Sequence, residues 1–174
     1  MIKLTTPVND ETRLSLRVGD EVLISGTVYI GRDQVHRLLV EAIQDNQELP
    51  IPFVGQIIYY VGPTPAKPGQ PIGACGPTSS YRMDPFSKIL MSKGLKIMIG
   101  KGDRSAAFKQ ELIKEQAVYL IGVGGIGALM SKRVKKATMV AFPELQSEAI
   151  YKLEVEDFPT IVAYDAYGGD IFNR

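Results

Sequence analysis

Two stretches of this chain have the same make-up: Gly76-Pro77-Thr78-Ser79-Ser80-Tyr81-Arg82-Met83-Asp84 and, further along, Gly100-Lys101-Gly102-Asp103-Arg104-Ser105. Each follows a short apolar run and leads into residues with helical spacing. In a mixed α/β fold, loops at the carboxyl ends of parallel strands bind ligands, and helix amino termini in such loops favour anions. Because Arg82, Lys101 and Arg104 lie on or beside these loops, the pattern predicts a receptor for a small anionic substrate.

Composition limits the classes of partner. The chain has 174 residues, which predicts one domain over residues 1–174 with a sizeable core. It carries 20 basic and 19 acidic side chains, so no net field attracts nucleic acid or an anionic membrane. No apolar run approaches the ~20 residues that cross a bilayer, and the first residues lack the apolar core of a signal peptide. We therefore expect no nucleic-acid partner, no membrane partner and a cytoplasmic location.

Cysteine and histidine are each present once, as Cys75 and His36. One cysteine excludes an internal disulfide and cannot hold an iron–sulfur cluster, which takes several thiolates. If the protein serves a metal-dependent reaction, we expect the metal ligands to lie on another chain.

Hydrophobic periodicity predicts the order of the secondary structure. Alternation predicts an N-terminal hairpin from residues 12–18 and 21–29, and a helix follows with Asp33 as its N-cap. Asp84 is predicted to be the N-cap of a second helix that Gly94 ends. Further predicted elements are strands at 54–61, 96–99, 117–123 and 136–142, a helix at 105–116 with Phe108, Leu112 and Ile113 inward, and a C-terminal pairing of 160–164 with 171–172. Strands at both ends with βαβ units between them predict a single mixed α/β domain.

A dinucleotide-binding motif competes with the anion receptor. Gly122-Val123-Gly124-Gly125-Ile126-Gly127 follows a predicted strand and precedes a predicted helix, with Glu144 at about the distance for a ribose contact. The motif comes late in the chain, with little room for a second nucleotide half, and its glycines also suit a tight turn. We interpret it as structural.

Several of these motifs also carry a resemblance. Gly76-Pro77-Thr78, Arg82-Met83-Asp84 and Gly100-Lys101-Gly102, with Gly31-Arg32-Asp33 and His36 before them, resemble the core of the iron–sulfur (class I) fumarate hydratases and L(+)-tartrate dehydratases. Near the end, Glu148-Ala149-Ile150 and Val155-Glu156-Asp157-Phe158-Pro159 fit the same family. The match is to the β subunit, equivalent to the C-terminal half of the single-chain enzymes. It implies a swivelling β/β/α fold of three layers.

The resemblance assigns roles to individual residues. It implies that Thr78 is the catalytic hydroxyl, which exchanges a proton as the general base. Arg32, Arg82 and Lys101 would bind the substrate carboxylates. Lys101 or the arginine pair would favour the Thr78 alkoxide, and the sequence does not choose between them. His36, Ser79 and Asp84 would support these residues without touching the substrate; the family usually has Thr at the position of Ser79.

The implied reaction is the reversible hydration of fumarate to (S)-malate. A [4Fe–4S] cluster, held by three cysteines of a partner α subunit, would act as a Lewis acid, so the chain would work in a hetero-oligomer with no metal of its own. A tartrate dehydratase β subunit is the alternative enzyme. A non-catalytic dinucleotide- or anion-binding module is the alternative class.

Two residues near the motifs have other interpretations. Arg104 could equally lie on the outside of the protein and balance the charge of helix acids such as Glu111. Cys75 has no predicted role.

Overall fold

The computed structural model describes residues 1–31, 33–63, 75–77, 83–124, 132–142, 144 and 149–173, with the backbone alone at 62, 63 and 75–77. These residues form four helices and nine strands: β1 (Ile2–Thr5), α1 (Asp10–Ser15), β2 (Glu21–Ile30), α2 (Asp33–Gln44), β3 (Ile57–Tyr59), β4 (Val61–Pro63), β5 (Cys75–Pro77), α3 (Asp84–Ser92), β6 (Ile97–Gly100), α4 (Ala106–Lys114), β7 (Val118–Gly122), β8 (Val134–Ala141) and β9 (Ile150–Tyr164).

The main sheet closes on itself. Its seven strands lie in the order β1-β2-β3-β6-β7-β9-β8, and β2 also pairs with β9. The strands β2, β3, β6, β7 and β9 therefore form a five-stranded, barrel-like ring, with β1 and β8 attached to its sides. This arrangement is a mixed α/β fold, as predicted. The strands form a closed ring, which is not specifically the three-layer architecture that the resemblance implies.

Apolar side chains fill two cores on opposite faces of the ring. Alternate strand residues such as Ile24, Ile97 and Ile99 form one cluster, which the ring encloses. The residues between them, such as Ile58 and Met98, pack against the helices in a second cluster. Strands buried on both faces require continuous apolar runs, which explains why β6 has the sequence Ile-Met-Ile before Gly100.

The predicted N-terminal hairpin is wrong in its first strand. Residues Asp10–Ser15 form the helix α1, because Asn9 accepts a hydrogen bond from Thr12 N at 2.8 Å and Asp10 and Glu11 occupy the first turn. Strand β2 forms as predicted, but its neighbour is β1, which runs parallel to it.

Most of the other elements follow the prediction. Ser105 caps α4, whose Phe108 and Leu112 are buried, whereas Ile113 is exposed at the surface rather than inward. The C-terminal pairing is present as a hydrogen bond from Ile171 N to Ala163 O at 2.9 Å. Among the described residues, no helix is long and apolar enough to cross a membrane.

Four strands place their carboxyl ends at one edge of the ring. β2, β3, β6 and β7 are mutually parallel. The backbones stay paired up to this edge, where Gly31 N donates to Tyr59 O at 3.1 Å and Tyr60 N donates to Ile99 O at 3.0 Å. The chain leaves this edge after Gly31 and again at Lys101, so the prediction that the 100–105 loop follows a parallel strand is confirmed. The same prediction for the 76–84 stretch is wrong, because Gly76 and Pro77 belong to β5, which pairs antiparallel with β4 outside the ring.

Candidate functional site

Three of the seven predicted site residues lie in the described part of the chain. Lys101 follows the carboxyl end of β6 and is exposed, His36 is buried in α2, and Asp84 begins α3. The other four lie outside the described residues: Arg32, Thr78, Ser79 and Arg82. The described part shows how the segments that carry these four residues are held at their ends.

The residue before Thr78 is fixed by strand pairing. β5 pairs antiparallel with β4, and Pro77 is the partner of Val61. Since β4 follows β3 after Tyr60 alone, this small sheet lies directly beyond the carboxyl end of β3. Pro77, the last described residue before Thr78, therefore lies at the same edge of the ring as Lys101.

The other end of that segment is fixed by Asp84. Its carboxylate accepts hydrogen bonds from Arg104 Nε at 2.5 Å and from Ser105 N at 2.9 Å. The prediction that Asp84 caps its own helix is wrong: Met83 holds the N-cap position, without a side-chain cap, and the Asp84 side chain bonds to the neighbouring loop instead.

Arg104 faces the interior. Its side chain is 0% exposed and forms an ion pair with Asp84, so it does not balance Glu111 from outside; Glu111 pairs with Lys88 at 3.6 Å. Arg104 Nη2 donates to Ser87 Oγ at 3.1 Å, and the guanidinium lies 3.6 Å from the centre of the Phe108 ring. One sequence feature could have indicated this environment: tyrosines at 60, 119 and 164 lie in or beside aliphatic strands, and their hydroxyls need partners when buried.

The charge on Arg104 is stabilised where it lies. Burial lowers the pKa of this guanidinium, whereas Tyr60, Asp84 and Tyr119 raise the pKa by more, and the net shift is upward. Rings of Tyr60 and Tyr119 both lie 5.0 Å from the guanidinium carbon. A buried cation surrounded by a carboxylate and aromatic faces stays protonated at every pH at which the protein is folded.

The loop that carries Lys101 is held by three more polar contacts. Tyr119 Oη donates to Gly102 O at 3.0 Å, and Arg104 N donates to Tyr164 Oη at 2.8 Å. The Tyr164 hydroxyl also donates to the Asp103 carboxylate. Gly102 has φ +80°, a conformation that L side chains rarely adopt, so the glycine after Lys101 is required by the turn.

His36 lies in the interior, in contact with Tyr60. It is 0% exposed, and its ring meets the Tyr60 ring edge-on with centroids 5.1 Å apart. The Tyr60 hydroxyl is 3.4 Å from Ser87 Oγ, which in turn contacts Arg104. His36, Tyr60, Ser87 and Arg104 thus form a continuous buried row under the edge of the ring.

The described residues offer no metal site of protein side chains. No group of three or more His, Cys, Asp or Glu side chains is close enough to bind a metal ion within the described residues. These residues therefore do not fit an iron–sulfur cluster, which needs several thiolates. The glycine motif lies mostly outside the described residues, apart from Gly122, Val123 and Gly124, the last with φ +102°.

Known proteins resemble the chain over nearly its whole length. It is 39% identical to a protein named fumarate hydratase class I, anaerobic, from Escherichia coli K12, over 90% of this chain and 29% of that protein. It is 35% identical to fumarate hydratase 2 of Leishmania major, over 99% of this chain and 31% of that protein. A protein named putative L(+)-tartrate dehydratase subunit beta, from Methanocaldococcus jannaschii, is 36% identical over 91% of this chain and 85% of its own length.

The chain thus spans about a third of the length of the two fumarate hydratases and most of the length of the dehydratase subunit. The family described as "Fumarase C-terminus" matches residues 1–174, which is the entire sequence. This chain belongs to the fumarase C-terminus family.

Proposed function

We propose that this chain supplies the carboxylate-binding and proton-transferring half of a hydro-lyase that interconverts fumarate and (S)-malate. The observation that carries the proposal is the family match across all 174 residues, together with relatives named fumarate hydratase. The geometry supports it, because Gly31, Pro77 and Lys101, which precede or belong to the proposed site residues, lie at one edge of the ring.

Binding of the diacid is assigned to cations on three segments. Arg32, Arg82 and Lys101 would bind the two carboxylates, and arginine would do so through two parallel N–H donors. The same charges stabilise the anion that forms when the proton next to a carboxylate is removed from malate. Lys101 is exposed at the edge of the ring, where a substrate can reach its ammonium group.

Proton transfer is assigned to Thr78. In the dehydration direction its oxygen takes the proton from the carbon next to a carboxylate, and in the hydration direction the hydroxyl returns it. A hydroxyl needs activation for this role, and either Lys101 or the arginine pair would supply the positive field. His36, Ser79 and Asp84 would hold these residues in place.

The hydroxide-transferring half of the reaction is assigned to a partner. A [4Fe–4S] cluster would act as the Lewis acid there, on an α subunit or an N-terminal part that provides the thiolates. The described residues of this chain do not fit such a cluster, so this chain would contribute only the binding and proton transfer by its own side chains. The functional unit would be a hetero-oligomer, or a single longer chain.

A tartrate dehydratase is the second candidate. One observation favours it: the relative named as a dehydratase β subunit is matched over 85% of its length, so it is a chain of similar extent. Tartrate presents the same two carboxylates, and the same cations would bind them.

For the fold, we propose that the ring and its helices correspond to the swivelling β/β/α arrangement implied by the family.

Reconstitution tests the proposal. The chain is co-expressed anaerobically with a candidate α subunit, and fumarate, malate and L(+)-tartrate are assayed together. We expect turnover of one diacid by the pair, and a colourless, iron-free and inactive chain when it is purified alone. Turnover of tartrate but not fumarate would select the second candidate. Active, cluster-loaded protein from this chain alone, or inactivity of the loaded pair on all three diacids, would overturn the proposal.

A further inference from the structure

We infer that Arg104 is a positioning residue of this site. By binding Asp84, it sets the distance and angle between the segment that carries Thr78 and Arg82 and the loop that carries Lys101. The inference rests on the proposed function. It replaces the predicted role of Arg104 as a cation of the anion receptor, because its side chain is 0% exposed and already paired with Asp84.

One carboxylate joins the two segments. Asp84 follows Arg82 by two residues, and its two oxygens accept from Arg104 Nε at 2.5 Å and from Ser105 N at 2.9 Å. Both donors belong to the loop that begins with Lys101. The contact therefore links the first turn of α3, which follows the segment of the proposed base, to the loop of the proposed carboxylate-binding lysine.

The burial of Arg104 favours positioning over stability. Its side chain is 0% exposed, and Nη1 is buried with no hydrogen-bond partner among the described residues. Removing a cation from water costs free energy that a buried ion pair often fails to recover, and apolar replacements of such pairs are frequently neutral or stabilising. What an apolar pair cannot do is hold Asp84 and Ser105 N in one fixed geometry.

Arg104 also reaches the third segment of the site. Nη2 donates to Ser87 Oγ at 3.1 Å, and Ser87 lies 3.4 Å from the Tyr60 hydroxyl. The Tyr60 ring packs on His36 of α2, the helix that begins directly after Arg32. Arg104 is therefore in contact, through Ser87 and Tyr60, with the helix that follows Arg32 as well as with Asp84.

The test compares two ion pairs at opposite ends of β6. Asp84→Asn removes one charge without changing the side-chain shape. Arg104→Lys keeps the charge but loses the planar guanidinium and its several N–H donors. The matched control is Glu115→Gln, because Lys96 Nζ and Glu115 Oε2 form a similar pair at 2.6 Å at the amino end of the strand. Each variant is assayed in the reconstituted, cluster-loaded enzyme with the diacid that the wild type turns over.

We expect Asp84→Asn to lower kcat per loaded site by about 10- to 100-fold, since a 1 Å misplacement can cost about 10²-fold. KM should change by a smaller factor. Asp84→Glu, which restores the carboxylate, should recover part of kcat. The double variant Asp84→Asn/Arg104→Lys should have a kcat no lower than that of the less active single variant, because the effects of residues that act as a unit are not additive. Glu115→Gln should match the wild type.

Amide hydrogen exchange on the chain alone gives a second readout. We expect the Arg104 and Ser105 amides to exchange faster in Asp84→Asn and unchanged in Glu115→Gln. If Arg104→Lys fails to fold, the isosteric Asp84→Asn carries the test. Wild-type kcat in a folded Asp84→Asn enzyme would overturn the inference and leave the proposed function intact. Inactivity of the loaded wild type on all three diacids would overturn the function, and this inference with it.

Discussion

Pro77 is paired with Val61 across the small sheet of β4 and β5, so the backbone one residue before Thr78 is anchored beyond the carboxyl end of β3. Val61 is 0% exposed, so the strand residue that pairs with Pro77 is itself held in the core. A proposed base needs its oxygen held in one place, because proton transfer requires the two heavy atoms to lie within hydrogen-bond reach. The pairing provides such an anchor at one end of the loop, and Asp84 provides it at the other.

Thr78→Ala should lower the rate by about 10²–10⁴-fold, the usual contribution of general acid–base catalysis, while folding and substrate affinity are retained. Thr78→Ser should keep partial activity, since only the methyl group that restricts the rotamer is lost. The measurement is kcat in the reconstituted enzyme, with exchange of the substrate proton next to the carboxylate against deuterium as a separate readout.

Ser79→Ala is the neighbouring control for Thr78, and it should lose much less activity because Ser79 is proposed to shape the loop. Exchange of the substrate proton at the wild-type rate in Thr78→Ala would place the base elsewhere and reduce Thr78 to a turn residue.

Arg82→Lys should lose about 2–3 kcal/mol of transition-state binding, because a point charge replaces a planar fork at a carboxylate. That free energy corresponds to about 30- to 150-fold in kcat/KM. Arg37→Lys is the matched control: Arg37 pairs with Glu41 on the exposed face of α2 at 2.9 Å, and such a surface pair contributes little. Equal kinetics for the two variants would remove Arg82 from the site.

Ser87→Ala should lower the free energy of unfolding by about 1–3 kcal/mol, because Arg104 Nη2 then loses its buried acceptor. Ser92→Ala tests the same substitution on the same helix. Ser92 Oγ bonds to Ile89 O at the exposed surface, so its loss should change stability by no more than about 0.5 kcal/mol. Urea unfolding monitored by circular dichroism measures both, and identical midpoints would mean that the Ser87–Arg104 bond adds nothing.

Gly124→Ala should cost stability only through its backbone conformation and should reveal no nicotinamide requirement. At φ +102° an added Cβ would lie within 4 Å of no atom of the described residues, so we expect backbone strain of about 1–2 kcal/mol. Gly26→Ala, with the same φ, should cost more because its Cβ would lie 2.5 Å from Thr6 Oγ1. Calorimetry with NAD(H) checks the functional half, and a micromolar affinity would restore the dinucleotide interpretation.

Local chemistry was sufficient to predict the elements that depend on neighbours in sequence. The strand at β2, the two-sided apolar strands β6 and β7, and the helix capped by Ser105 all follow from periodicity and capping within a few residues. The placement of Lys101 after a parallel strand follows in the same way. The residue motifs of the loops were also sufficient to identify the family to which the chain belongs.

Short or ambiguous patterns were decided by contacts that the sequence does not display. Leu14, Leu16 and Val18 alternate as a strand would, yet the Asn9 cap and the acidic first turn favour the helix α1. Asp84 has the residue type of an N-cap, yet its carboxylate binds Arg104, which lies 20 residues away in the chain. Arg13 of α1 also donates from Nε to Gln116 O at 2.9 Å, so in each case a partner outside the local window contributes a hydrogen bond.

The closure of the ring is the clearest case of a feature fixed only in three dimensions. β2 and β9 pair from Glu21–Ile161 to Ile30–Tyr151, across more than a hundred residues of sequence. Periodicity reports which residues of a strand are buried, but it carries no information about which distant strand supplies the hydrogen-bond partners. The sequence by itself determined the strands, the loops and their chemistry. The tertiary structure decided that the strands close into a ring and that Arg104 turns inward to hold two of its loops together, because both depend on backbone and side-chain partners that meet only after folding.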